Sequence, residues 1–192
     1  MHHKRSFRRK LQTFFLSLLL VLLTVAGVPS AAYTAEAASA DTTMAVHFLD
    51  VGQGLSILVQ SQGQNLLYDG GDRGHSSFVV SYLQKQNISI IDYMISSHYD
   101  EDHVAGLVGC LDSFSVKNVI GADYVQDTKI YQSFENSVAA QGLTVQHPEP
   151  GTDFTFGGGK FTVLSPQSIS SNDNDNSVAI RLERSEEHTS ES

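Results

Sequence analysis

Residues 41–183 predict a mixed α/β domain, a sheet with helices packed on its face. Three observations predict it. Short apolar runs separated by glycine-rich turns come first, and strand–helix–strand units follow. The helical stretches between them carry apolar side chains at three- and four-residue spacing.

Taken in order, MAVHFLDV (44–51) is a strand running into the glycine-framed turn GQG, and LSILVQS (55–61) is its hairpin partner. QNLLYDGG (64–71) is a third strand, ending in Asp69 and two glycines. SSFVVSYLQKQN places Phe78, Val79, Tyr82 and Leu83 on a helix face, with Ser76 or Ser77 as N-cap. ISIIDYMIS (88–96) is one further strand, HVAGLVGCLDSF (103–114) a short helix and KNVIGA (117–122) a strand. In the next helix Ile130, Phe134 and Val138 share a face, and Gly142 stands where a C-terminal glycine belongs. LTVQ, DFTF and KFTVLS are strands, the last two a hairpin joined by GGG; NDNDN is a solvated loop. SVAIRLE is a last strand, expected to stop without a partner or closing helix.

The two ends are of another kind. A basic MHHKRSFRRK precedes an apolar stretch from Phe14 to Val28 and small-residue cleavage options, the layout of a secretory signal peptide over residues 1–40. Cleavage after Ala37 or Ala40 gives a secreted or extracytoplasmic protein with no stable membrane association. An uncleaved signal anchor, tethering it to a membrane, is the alternative. Residues 184–191, RSEEHTSE, match one reading frame of a widely used sequencing adapter, so 184–192 is expected to be a non-native tail on a chain that continues beyond Glu183. A polar, frayed terminus is the other reading.

Removing residues 1–40 takes five of the 12 Lys and Arg and one of the 21 acids, leaving seven bases against twenty acids. Such a chain does not hold long polyanions by general attraction; a phosphate ligand needs a local site, most simply a bound cation. With Cys110 as the single cysteine a disulfide scaffold is excluded, and Cys110 itself reads as a small buried hydrophobe. GQG and GGGK lack phosphate-loop spacing, and NDNDN lacks the glycine and glutamate of an EF-hand. His47 and His75 read as a strand and a loop residue, the latter near the Asp69 turn. The sequence points to no partner protein.

One stretch carries chemistry. SSHYDEDHVAG (96–106) ends an apolar strand in a cluster of acids and histidines, although only 17% of the chain is charged. In an extended loop His98, Asp100 and Asp102 point the same way, His103 opens the following helix, and Tyr99 and Glu101 face outward. Imidazole and carboxylate together suit zinc, manganese or iron.

SHYDEDHVAGL resembles the HxHxDH signature of the metallo-β-lactamase superfamily. More narrowly it is similar to the HxDxDH variant of ComEC-type competence proteins and their secreted relatives. FLDVGQG (48–54), LLYDGG (66–71), IDYMISSH (91–98) and the segment from Asn174 or Asn176 into Ser177–Val178 occur in that family's order. The resemblance implies an αββα sandwich, of which this chain holds the first half and the start of the second.

The resemblance also implies two divalent metal ions, Zn2+ first and Mn2+ as the alternative. His98 and Asp100 would bind one, and Asp102 and His103 the other, with Asp102 as the catalytic residue orienting the attacking water. Asp69 would stand behind them as a hydrogen-bond acceptor, or serve only as a turn residue before Gly-Gly. The activity implied is hydrolysis of a phosphodiester or related phosphate ester, nuclease activity by resemblance alone; the acidic balance puts a small or single-stranded nucleic acid on a par with long DNA as substrate. Asp100, Leu55 and Ala105 depart from the usual pattern; Asp100, a harder ligand than histidine, favours Mn2+ more. The family's later ligands, a bridging Asp and a paired-histidine loop, do not occur in this sequence, and neither His147 nor His188 replaces them. A secreted, catalytically inactive binding or interaction module on the same scaffold is the alternative. It predicts no stoichiometric metal and no loss of fold on His98→Ala.

Overall fold

The computed structural model describes residues 43–184. The signal segment 1–40 and residues 185–192 of the tail lie outside the described residues.

Three antiparallel strands open the domain: β1 (Met44–Phe48), β2 (Ile57–Ser61) and β3 (Gln64–Tyr68). Helix α1 (Ser76–Lys85) follows, then β4 (Ile90–Ile91), β5 (Tyr93–Ile95) and α2 (Glu101–Ser113). After β6 (Ser115–Val116) and β7 (Val119–Ile120) come α3 (Lys129–Ala140) and β8 (Val145–Gln146). The chain then forms β9 (Asp153–Phe156), β10 (Gly159–Val163), a 3-10 turn (Asp173–Asn176) and β11 (Ile180–Arg184). One sheet has the order β1-β2-β3-β5-β7-β8, the second β11-β10-β9, and β4 pairs with β6 alone.

The alternation of apolar residues explains the layering. Leu58, Leu67, Met94 and Val119 pack with Val79, Leu83, Leu107, Cys110, Phe134 and Val138 of the three helices. Their immediate neighbours Val59, Leu66, Ile95 and Ile120 pack with Phe156, Phe161, Val163 and Val178. A strand buried on both faces needs apolar residues at consecutive positions, which is what ILV, LL, MI and VI provide. The order is therefore helices, six-stranded sheet, three-stranded sheet: three layers of an αββα sandwich. Strands β3, β5, β7 and β8 run parallel, so their carboxyl ends lie on one rim, where the charged loop leaves β5.

Several expectations are corrected. ISIIDYMIS is two strands in two sheets, because the carboxylate of Asp92 is drawn inward between them by the Asn65 amide and the Lys117 ammonium, at 2.8 and 2.7 Å. Neither Ser76 nor Ser77 caps α1. His75 occupies that position and Asp72 Oδ1 accepts from its amide at 2.9 Å. The last strand has a partner: β11 pairs antiparallel with β10 along its whole length, Arg184 opposite Gly159. NDNDN winds into a 3-10 turn, and its Asn176 is buried, bonded at both amide atoms to the backbone of Ser170. Thr128 caps α3 by accepting from Tyr131 N, and Gly142, at φ 73°, ends it as expected.

Candidate metal centre

The site is built from backbone contacts first. Gly70 donates to His103 O at 2.8 Å, and Gly106 donates to Gly71 O at 3.0 Å, so the start of α2 lies directly on the turn after β3. A Cβ on Gly106 would stand 1.8 Å from Gly70 O, and one on Gly70 2.3 Å from Leu107 N. Only two glycines permit this approach, and Ala105 beside them is buried. Gly54, at φ 99°, lets the GQG turn close over Asp102, where a Cβ would stand 1.9 Å from Asp102 O.

Asp69 is fully buried in the left-handed conformation, φ 57°. Its Oδ1 accepts from Ser97 N at 2.7 Å, and its Oδ2 accepts from Ser97 Oγ at 2.7 Å and from His103 Nδ1 at 2.9 Å. Asp69 thus makes the turn and also accepts from a histidine. Ser97, which has no distinguishing signal in the sequence, extends the arrangement. Having given its proton to Asp69, its hydroxyl accepts from His98 Nδ1 at 2.9 Å. One buried carboxylate thus fixes both imidazoles with N–H at Nδ1 and Nε2 facing outward.

Those outward nitrogens face the two loop carboxylates. His98 Nε2 is 3.4 Å from Asp100 Oδ2, and His103 Nε2 is 3.9 Å from Asp102 Oδ2. The rings of His98 and His103 lie 4.1 Å apart. Burial lowers the His103 pKa, but the Asp69 hydrogen bond and charge, with Asp102 and Asp100 behind them, outweigh it and raise the net value. A cation at His103 therefore competes with a proton.

The structure sets His98 beside Asp100 and His103 beside Asp102, with the two imidazoles next to each other, though not by the alternation the sequence suggests. Only Asp100 is extended; Glu101, Asp102 and His103 form the first turn of α2, where acids are favoured by the helix dipole. Glu101 faces outward as expected and pairs with Arg73 at 3.2 Å. Tyr99 does not. It is fully buried, donates to Ala122 O at 2.7 Å and packs on Tyr124, Tyr131 and Phe134, because α3 offers an aromatic pocket. Burial raises its phenol pKa, as it pushes the Cys110 thiol up to about 12. Segment 173–178 reaches the same rim: Val178 N donates to Ser97 O at 2.8 Å, and Tyr68 Oη donates to Val178 O at 2.6 Å. His147 bonds Gly121 O and is not part of the cluster, and His75 pairs with Asp72.

The donor set fits divalent metal. Two donors each about 2.1 Å from one ion at a tetrahedral angle stand roughly 3.4 Å apart, which matches His98–Asp100, while His103–Asp102 at 3.9 Å is wider. Both imidazoles are already oriented from behind. Among the described residues no three or more His, Cys, Asp or Glu side chains converge as a metal-holding group; the pairing is two by two.

Comparison with known proteins supplies the relatives. The family model described as Metallo-beta-lactamase superfamily matches residues 49–166. Recombination protein 2 of Haemophilus influenzae is 30% identical over 147 residues, 73% of this chain and 17% of that protein. Competence protein ComA of Neisseria gonorrhoeae is 36% identical over 63 residues, 32% of this chain and 9% of that protein. The chain therefore spans less than a fifth of the length of either relative. Among solved structures, metallo-beta-lactamase SMB-1 in a complex with mercaptoacetic acid superposes with a TM-score of 0.53 at 13% identity, covering 74% of this chain and 56% of that one. That likeness shows the fold.

Proposed function

The chain belongs to the metallo-beta-lactamase superfamily, and from that premise we propose that it is an exported, metal-dependent hydrolase of phosphodiester or related phosphate-ester bonds. The observation that carries the reading is the buried Asp69, which directly and through Ser97 turns both Nε2 atoms toward Asp100 and Asp102. His98 and Asp100 would hold one ion, and Asp102 and His103 a second. Bound there, zinc or manganese would lower the pKa of a water toward neutrality and neutralise charge on a phosphoryl oxygen.

The surroundings of Asp102 support the role proposed for it. Gln53 Nε2 donates to its Oδ2 at 3.4 Å, while Oδ1 has no hydrogen bond among the described residues and is free to accept one from a water nucleophile. The acidic balance of the mature chain supports a small or single-stranded nucleic acid over long duplex. Among the described residues no helix is long and apolar enough to cross a membrane; the segment proposed to direct export lies outside them.

Hydrolysis of bis-p-nitrophenyl phosphate in the presence of Zn2+ or Mn2+ tests the reading. Asp102→Ala is expected to cut turnover by about 100-fold or more while leaving the thermal midpoint in place. Turnover that persists unchanged in Asp102→Ala removes the assigned role. Wild-type protein that takes up no metal returns the chain to the inactive binding module.

A further inference from the structure

Asp100 sits at the N-cap of α2, where an aspartate ordinarily spends its carboxylate on the first helical amides. Here it makes no such bond, although its backbone is extended as a cap requires, φ −67° and ψ 148°. Its two oxygens are turned away and kept distinct. Oδ2 faces His98 Nε2 at 3.4 Å, and Oδ1 accepts from Gln126 Nε2 at 3.2 Å. Gln126 lies in the irregular connection between β7 and α3. The second hydrogen of the same nitrogen goes to Asp173 Oδ2, at 2.8 Å, in the 3-10 turn. Gln126 Oε1 is met by Thr128 Oγ1 at 3.5 Å, and Thr128 is itself the cap of α3.

We propose that Gln126 is a positioning residue for the metal, holding Asp100 so that one oxygen only is presented beside His98, and that Asp173 holds Gln126 for this task. This rests on the metal-centre reading above. The chemistry favours an amide in this place. A lysine or arginine would bind Asp100 more strongly but would put a positive charge beside a dication. A neutral donor orients the carboxylate and leaves its charge for the ion. Asp173 belongs to the segment that also delivers Val178 to Ser97, so docking of the second sheet and orientation of the ligand are coupled through one side chain.

The test is calorimetric titration of the metal-free full chain with Zn2+ and with Mn2+. Thermal midpoints of the metal-free forms serve as controls, and the visible absorption of the Co2+ forms as a signature of coordination. Gln126→Met, similar in shape but without donors, is expected to weaken binding by about 10- to 100-fold and to change the Co2+ spectrum. Asp173→Ala weakens binding by a smaller factor. Asp173→Asn, whose carbonyl accepts the same N–H, retains wild-type affinity. The double variant Gln126→Met/Asp173→Ala binds no more weakly than Gln126→Met alone, since Asp173 acts through Gln126.

Wild-type affinity and an unchanged Co2+ spectrum in Gln126→Met overturn the proposal while the metal centre stands. Should Gln126→Met fail to fold, Asp173→Ala against Asp173→Asn decides the same question, and equal affinities overturn it. Absence of metal uptake by the wild type overturns both readings together.

Discussion

Two aspartates are buried at opposite ends of neighbouring parallel strands, and they are satisfied in opposite ways. Asp92 precedes β5 at the amino end. It accepts from the Asn65 amide at 2.8 Å and from Lys117 Nζ at 2.7 Å, so its charge is met by a half-exposed lysine. Asp69 follows β3 at the carboxyl end and pairs with no Lys or Arg among the described residues. Its partners are an amide, a hydroxyl and an imidazole. The first arrangement is closed: every group in it is used up by the fold. The second is open, because two of its three donors, Ser97 Oγ and His103 Nδ1, lead on to a histidine nitrogen that faces the rim. A buried carboxylate supported by neutral and titratable donors at the carboxyl end of a parallel sheet marks a site, and one neutralised by lysine at the other end marks a joint.

The comparison breaks most completely if the carboxyl end loses its backbone fit. In Gly106→Ala the new methyl meets the Gly70 carbonyl, and neither backbone has room to retreat. A stability loss upwards of about 3 kcal/mol is expected, read by urea denaturation, together with loss of metal uptake. A variant as stable as wild type would show that α2 does not lie on the Gly70 turn.

Next in size is the pair of aspartate variants. Asparagine tolerates the left-handed backbone of residue 69, so Asp69→Asn removes charge with little added strain. It is expected to weaken Zn2+ binding by about 10- to 100-fold and to cost about 1–3 kcal/mol through the mismatched Ser97 donors. Asp92→Ala is expected to cost a similar about 1–3 kcal/mol by orphaning the Asn65 amide, since Lys117, more than half exposed, returns to water. Metal affinity should not move. Equal effects of the two on affinity would erase the distinction between site and joint.

Much of this was legible in the sequence because it is local. Paired apolar residues such as Leu66–Leu67 and Met94–Ile95 announce strands buried on both faces, and HYDEDH announces the His and Asp side chains that line the rim. What was not legible depends on contacts between distant segments. Tyr99 stood among charges and read as exposed; its ring is buried because Tyr131 and Phe134 meet it from a helix formed thirty-odd positions later. Asp92 read as part of one long strand, since its lysine partner lies in a different connection. Gln126 had no local feature at all: its partners are 26 and 47 residues away. Ser97 was visible only as one of two serines before a histidine, and its role required knowing where Asp69 would be. β11 seemed partnerless because the pairing surface of β10 lies across the intervening 3-10 turn.

The smallest effect belongs to a third aspartate, on the surface, which sharpens the comparison by supplying its exposed limit. Asp153 in β9 accepts from Lys160 Nζ at 2.6 Å and from Thr162 Oγ1. The Lys160 hydrogen bond, then the Thr162 one, hold its carboxyl below the ordinary aspartate value. A depressed folded pKa contributes stability above the unfolded value and loses it as pH falls through the folded one. Asp153→Asn should therefore lower the thermal midpoint slightly at neutral pH, and the difference from wild type should vanish in acid. Because the pair is solvent-exposed, added salt should shrink the difference as well. Metal binding should be untouched, as the pair lies on the β9–β10 hairpin rather than on the strand ends that carry the proposed ligands. A difference that grows in acid would mean that Asp153 is held by something other than its lysine. The rule drawn from Asp92, that a lysine-paired carboxylate serves the fold alone, would then need a different basis.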